Sequence, residues 1–270
     1  MRILFVGDVV GQPGRMIVRR AVPRLIARER LDLVVVNAEN AAAGSGLTPV
    51  QFNELIGVGV DGITLGDHIY RRKEICDLLG RAKNVVKPAN FPAAAPGRDH
   101  AVLTARNGTR VGLVSLLGRV FMKPVDCPFQ AVDRVLAAMP PDVKVILVDV
   151  HAEATSDKQL LGRYLAGKVS AVLGTHTHVA TADEAILAPG TAFQCDVGMT
   201  GPHDGIIGRR YDRVLETTLS FQPTHFEVAD GDVRLNGAIV DVDPETGRAT
   251  AIERLCVREE ELPALERDWK

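Results

Sequence analysis

Short apolar runs rich in valine, isoleucine and leucine recur through the first two-thirds of the chain, and most of them stop just before a residue able to bind a metal ion. The runs are ILFVG (3–7), LVVVN (33–37), GITLG (62–66), VGLVSLL (111–117), VILVDV (145–150) and AVLG (171–174). Asp8, Glu39 with Asn40, Asp67 with His68, His151, and His176 with His178 follow five of them. Between many of the runs the apolar residues take helical spacing, as in 14–30, 48–59, 72–82 and 129–139. Strand alternating with helix predicts an α/β layered fold with largely parallel central strands. Thr48-Pro49 and Pro13-Gly14 mark helix starts. Beyond about residue 184 apolar and polar residues alternate, with Gly, Asp and Asn at the bends, through AILAPGTAFQCDVG and again from LETTLSFQP to ERLCV. That pattern predicts a meander of antiparallel strands that extends or covers a sheet.

A chain of 270 residues, 46% of them hydrophobic, has room for one large domain with a real interior, and no internal repeat or low-complexity linker divides it. Residues 1–270 therefore read as one domain. No apolar run approaches the roughly 18 to 20 residues that cross a bilayer. The opening MRILFVGDVV reads as a first strand rather than a secretion signal, so the expectation is a cytoplasmic protein with no membrane partner. A net charge of -2 without any Lys/Arg block argues against stable binding to long nucleic acid. A small phosphate ester remains compatible with it. Cys76, Cys127, Cys195 and Cys256 lie far apart with no CxxC pair, which predicts buried free thiols. Whether the chain forms a homo-oligomer is open at this stage.

In α/β sheets the carboxyl ends of parallel strands form the edge where ligands bind. Any one acid or histidine there reads as a turn residue or a cap, but five strand ends carrying such residues together point to a shared site. The donors are carboxylate, amide oxygen and imidazole, with no thiolate, a mixture that suits Mn, Fe, Co or Zn better than Ca or Mg. Asp8, Glu39, Asn40, Asp67, His151, His176 and His178 exceed the needs of one open catalytic ion. Two ions roughly 3.5 to 4 Å apart would share them if one carboxylate bridges, and Glu39 is the candidate. His176 and His178, at i and i+2, point the same way only on extended backbone; in a loop each could reach a different ion. The glycine-rich GDVVGQPGR fits neither the dinucleotide nor the Walker spacing, and Asp8 would repel a phosphate unless a cation lay between them.

Seven stretches carry a family resemblance: GDVVGQPGR, NAENAAAGSGLT, ITLGDH, KPANFP, DVHAEATSDK, GTHTHVATAD and DVGMTGPHDG, running from the first strand to about residue 208. With them the sequence resembles the YmdB-like branch of the calcineurin-type metallophosphoesterases, a family of 2′,3′-cyclic-nucleotide phosphodiesterases. The resemblance implies a four-layer α/β/β/α sandwich with mixed sheets and a C-terminal antiparallel portion, and a dimetal site at one sheet edge. It implies that Asp8, Glu39, Asn40 and His178 serve one ion, that Glu39, Asp67, His151 and His176 serve the other, and that His68 is the proton donor. It implies iron as the metal, with manganese as a second option. The chain departs from the family at GDH (66–68), where GNH is usual: Asp67 stands in place of an asparagine. The added negative charge should tighten metal binding while lowering the ion's Lewis acidity.

The function these readings imply is hydrolysis of a 2′,3′-cyclic nucleotide or related phosphodiester by a metal-activated hydroxide, with His68 protonating the departing oxygen. The other readings are a phosphomonoesterase or nucleotidase on the same site, and a non-catalytic nucleotide-binding regulatory protein. Weaker candidates are Arg119 as a phosphate clamp, His203 as either a substrate contact or a surface residue, and Asn90 and Phe91 as pocket walls. His100 and His225 read as ordinary surface or strand residues.

Overall fold

A computed structural model describes residues 1–267. The first half runs β1 (Arg2–Val6), α1 (Gly11–Arg28), β2 (Leu33–Asn37), α2 (Pro49–Ile56), β3 (Gly62–Thr64), α3 (Ile75–Arg81) and β4 (Val85–Val86). β5 (His100–Thr104), β6 (Arg110–Leu117), α4 (Pro128–Ala138), β7 (Val145–His151), α5 (Thr155–Leu165) and β8 (Ala171–Thr175) follow. The remainder is β9 (Ala185–Leu187), β10 (Thr191–Gln194), β11 (Gly201–Asp204), α6 (Tyr211–Ser220), β12 (Gly231–Val242), β13 (Ala249–Arg258) and α7 (Leu262–Arg267).

Two mixed sheets result. In one, β1, β2, β3 and β4 are parallel neighbours, and β12 pairs antiparallel with β1, β11 and β13. In the other, β6, β7, β8 and β10 are parallel, and β5 and β9 pair antiparallel at the two edges. The continuous apolar runs of β1 and β2 have a plain cause, because successive side chains enter different cores. Ile3, Phe5, Leu33 and Val35 meet Leu113, Leu147 and Leu173 between the sheets. Leu4, Val6, Val34 and Val36 turn outward to Ile17, Val18 and Leu25 of α1 and Phe52 and Leu55 of α2. On the far face of the second sheet, Val114, Val148 and Val172 pack against Val132 and Val135 of α4 and Leu161 and Leu165 of α5. Helix, sheet, sheet and helix are thus four layers joined by three apolar interfaces.

The capping hydroxyl of Thr48 accepts from Gln51 N, the Gln51 side chain returns the bond to Thr48 N, and Pro49 opens α2. Three expectations need correction. α1 begins at Gly11, ahead of Pro13-Gly14, because Gly11 takes a φ of 61° and Pro13, lacking an N–H, is tolerated in the first turn. The stretch LETTLS forms α6 rather than a strand; no strand pairs with it, so its backbone bonds close within the segment, and none of its side chains is buried. β10 joins its sheet parallel to β8, so the antiparallel portion is confined to β9 with β10 and to β11, β12 and β13. Of the cysteines, all unpaired, only Cys195 is buried; Cys256 is exposed, since β13 shows part of its width to solvent.

Candidate metal centre

Parallel pairing aligns the carboxyl ends of the strands. Val6 stands beside Val36 and Asn37 beside Thr64 in one sheet, and Leu117, His151 and Thr175 are in register in the other. The two ends are joined across the sheet interface by Asp149, whose Oδ2 accepts from Asn37 Nδ2 at 2.9 Å and Thr64 Oγ1 at 2.5 Å. Asp8, Glu39, Asn40, Asp67, His68, His151, His176 and His178 all converge on the cleft above this join.

Two groups can be separated within them. Candidate ligand atoms of Glu39, Asp67, His151 and His176 all lie within 4.8 Å of one another. His151 Nε2 is 3.2 Å from Glu39 Oε2, 3.4 Å from Asp67 Oδ1 and 3.0 Å from His176 Nδ1. Donor atoms about 2.1 Å from a common ion stand roughly 3.0 to 3.4 Å from each other, so these spacings fit one. In the second group Glu39 contributes its other oxygen. The Asn40 amide stands beside it, with Nδ2 3.0 Å from Glu39 Oε1 and 3.3 Å from His178 Nε2, which is 3.9 Å from Asp8 Oδ1; rotating the amide by half a turn presents Oδ1, its ligating atom, to the same group. Asp8 Oδ1 and Asp67 Oδ1 are buried and have no hydrogen-bond partner, a costly state for a carboxylate that a cation would relieve. Gly66 is required at the floor, since a Cβ there would collide with the His151 ring and Glu39 Oε2. The donor set and its unpaired oxygens fit two transition-metal ions.

The charges are arranged to match. Burial opposes ionisation of Glu39, but His151 and His68 outweigh it and hold the carboxyl well below its usual range. Burial likewise opposes a charge on His151, and Glu39, Asp67 and Asp8 outweigh it, raising its pKa well above the ordinary value. His176 is pushed down by burial and by the neighbouring His151.

Several supporting groups carried no signal in the sequence. Burial pushes the Asp149 carboxyl up to about 6, against His151 and its three donors, so it is ionised at neutral pH. Thr175 Oγ1 donates to Asp149 Oδ1 at 2.7 Å and must therefore accept from His151 Nδ1, 2.8 Å away. That chain fixes the ring and leaves Nε2 facing the cluster. Glu153 Oε2 lies 3.2 Å from His176 Nε2 and orients the second imidazole in the same way.

The His-Thr-His segment departs from extended geometry: His176 and His178 have φ of 95° and 67°, left-handed values unusual for non-glycine residues. The turn directs His176 to one group and His178 to the other. Asp196 holds it, with Oδ2 accepting from Thr177 N at 3.1 Å, Thr177 Oγ1 at 2.6 Å and the buried Lys158 Nζ at 2.6 Å. The mid-turn residue is thus anchored by a buried ion pair, which offsets the backbone strain.

His68 sits at the rim. Its Nδ1 is 2.8 Å from Asn40 Oδ1, and its Nε2 is 3.8 Å from Asp67 Oδ2. Lys123 Nζ lies 3.8 Å from the same oxygen and donates to Asp67 O at 3.0 Å, so the extra charge of Asp67 has a cation beside it. The weaker candidates fall elsewhere. The Arg119 guanidinium lies against the Cys127 thiol. His203 turns inward to Gly201 O and Asn236, and His225 is exposed. His100 pairs with Asp99. Asn90 is wholly buried and hydrogen-bonds the backbone of Leu117 and Asp126 rather than lining the cleft. Phe91 packs against the helix-side core.

The family model described as YmdB-like protein matches residues 4–255. The chain belongs to the YmdB-like protein family. It is 44% identical over 262 residues to a 2′,3′-cyclic-nucleotide 2′-phosphodiesterase of Bacillus subtilis (strain 168), covering 97% of this chain and 99% of that one. Among solved structures, a hypothetical protein of Thermus thermophilus superposes with a TM-score of 0.90 at 42% identity, over 96% of this chain and all of that one. A structure described as a novel phosphatase of Mycoplasma pneumoniae gives 0.88 at 30% identity, over 96% of this chain and 93% of that one. At these TM-scores both neighbours share the fold of this YmdB-like chain. Among the described residues no helix is long and apolar enough to cross a membrane.

Proposed function

We propose that this YmdB-like chain is a dinuclear metal-dependent phosphodiesterase that hydrolyses 2′,3′-cyclic nucleotides or related phosphodiesters. The observation that carries the dinuclear reading is Glu39, whose Oε1 belongs to one donor group and whose Oε2 belongs to the other. Asp8, Asn40 and His178 would complete one ion's set, and Asp67, His151 and His176 the other's. The cyclic-nucleotide substrate is supported by the Bacillus subtilis relative; the mixed oxygen and nitrogen donors suit a first-row transition ion, and the family resemblance implies iron, with manganese as the second candidate.

Bound there, the ions supply Lewis acidity toward phosphoryl oxygens and a nucleophilic water at neutral pH. The chain's own residues do the rest. Glu39, fully ionised, keeps the floor of the cleft negative, and Asp149 acting through Thr175 keeps His151 Nε2 directed at it. As the new P–O bond forms, the P–O2′ bond breaks and His68 passes a proton to O2′, which stays on the ribose as a hydroxyl. The product keeps its phosphate on O3′. The Asn40 side-chain amide, 2.8 Å from His68 Nδ1, holds the ring at the rim for that transfer. The four unpaired cysteines agree with work in the reducing cytoplasm, as one domain on a small ester.

The test is turnover of 2′,3′-cyclic AMP and of p-nitrophenyl phosphate by protein stripped with chelator and then reloaded with iron or manganese. The reading expects no activity when stripped, recovery on reloading, and preference for the cyclic diester. Metal-independent turnover would overturn it. Preference for the monoester would make the chain a phosphomonoesterase.

A further inference from the structure

The loop after β6 takes no part in the chemistry above, yet it is tied to the centre at both ends. Gly118 N donates to His151 O at 3.0 Å, and Lys123 Nζ donates to Asp67 O at 3.0 Å. Between these points Arg119 N and Val120 N donate to Asp157 Oδ2 at 2.8 and 3.0 Å. Asn90 closes the stem, accepting from Leu117 N at 2.9 Å and donating to Leu117 O at 2.8 Å and Asp126 O at 3.0 Å. A short, fixed loop therefore spans from one candidate metal ligand to another.

At its crest is Phe121, with φ of 59° and 89% of its surface in water. Neither feature helps the folded chain: a left-handed backbone is strained for a bulky residue, and an exposed phenyl contributes no burial. Two residues of chain, at most about 7 Å, separate it from the lysine that touches Asp67. A flat apolar face on the loop whose lysine reaches Asp67 suits stacking of a nucleobase, which every base permits because each has a π-face.

We propose that Phe121 is the platform on which the base of the nucleotide substrate stacks, which makes it a specificity residue. This rests on the cyclic-nucleotide reading above. Stacking discriminates by surface, so purine substrates are favoured over pyrimidines, and small cyclic diesters without a base are disfavoured.

The experiment compares wild type, Phe121→Ala and Phe121→Trp, each loaded with metal, on 2′,3′-cyclic AMP and on ethylene phosphate, a five-membered cyclic diester with no base. Phe121→Ala should raise KM for the nucleotide about tenfold with kcat within about twofold, and lower the preference for the nucleotide over ethylene phosphate by the same factor. Phe121→Trp should restore both. An unchanged KM, or equal losses on the two substrates, would overturn the proposal. So would an unchanged KM with a lower oligomeric mass for Phe121→Ala, which would assign the ring to a protein contact. Calorimetric binding of 2′,3′-cyclic AMP to wild type and Phe121→Ala separates this inference from the parent reading. Binding about tenfold weaker in the variant supports stacking even if wild type turns over neither ester, and equal binding overturns it even if wild type turns over both.

Discussion

Glu39 Oε2 lies 3.2 Å from His151 Nε2, and both side chains are shut off from solvent. In the metal-free chain this is an ion pair: Glu39 is held well below its usual pKa and His151 well above. A metal ion taking His151 Nε2 must displace its proton, whereas Glu39 is already ionised and has none to give. Metal affinity should therefore rise with pH by about tenfold per unit until the raised His151 pKa is passed. Calorimetric titration in buffers of different ionisation enthalpy checks this, expecting release of about one proton. Affinity independent of pH would count against His151 as a ligand.

Thr175 links His151 to the charge that orients it, at 2.8 Å to His151 Nδ1 and 2.7 Å to Asp149 Oδ1. Replacing Thr175 with Val keeps the shape and removes the link, so metal affinity should fall about 10- to 100-fold with the fold retained. Competition against a chelator measures it.

Lys158 and Asp196 form a buried pair beneath the strained His176-Thr177-His178 turn. Lys158→Met leaves an uncompensated carboxylate and should cost about 3 to 5 kcal/mol in denaturant unfolding. Pairing it with Asp196→Asn should recover part of that stability while leaving metal retention impaired, because the anchor of Thr177 stays weakened.

Asp67→Asn replaces the carboxylate by an amide of nearly the same size, the residue that the family resemblance implies at this position. With the charge beside Lys123 removed, metal should be held at least about tenfold more weakly, while turnover per bound ion rises with the ion's Lewis acidity. Tighter metal binding by the variant would contradict the assignment of Asp67 as a ligand.

The strands that carry Asp8, Glu39, Asp67, His151 and His176 were legible because burial on both faces makes them continuous apolar runs. Their convergence follows from parallel pairing, which puts all the carboxyl ends at one edge. α5 was hidden for a specific reason. Its buried face is Lys158, Leu161, Gly162 and Leu165, a helical spacing that opens on a charge and contains a glycine. α6 misled because Leu215, Thr217 and Leu219 alternate with polar residues as a strand would, yet no neighbouring strand lies there to pair with them. The supports of the centre were illegible because they join distant positions. Asn37 meets Asp149 across 112 residues, and Lys158 meets Asp196 across 38, with no periodicity to mark either.

The bridging role of Glu39 is tested most directly by metal analysis of wild type and Glu39→Gln, both purified without chelator. The substitution preserves side-chain size and removes the charge that both donor groups share. Two ions per chain are expected for wild type and at most one for the variant, with the far-ultraviolet circular dichroism spectrum unchanged. Retention of two ions by Glu39→Gln, or fewer than two in wild type, would contradict a dinuclear centre built on this residue.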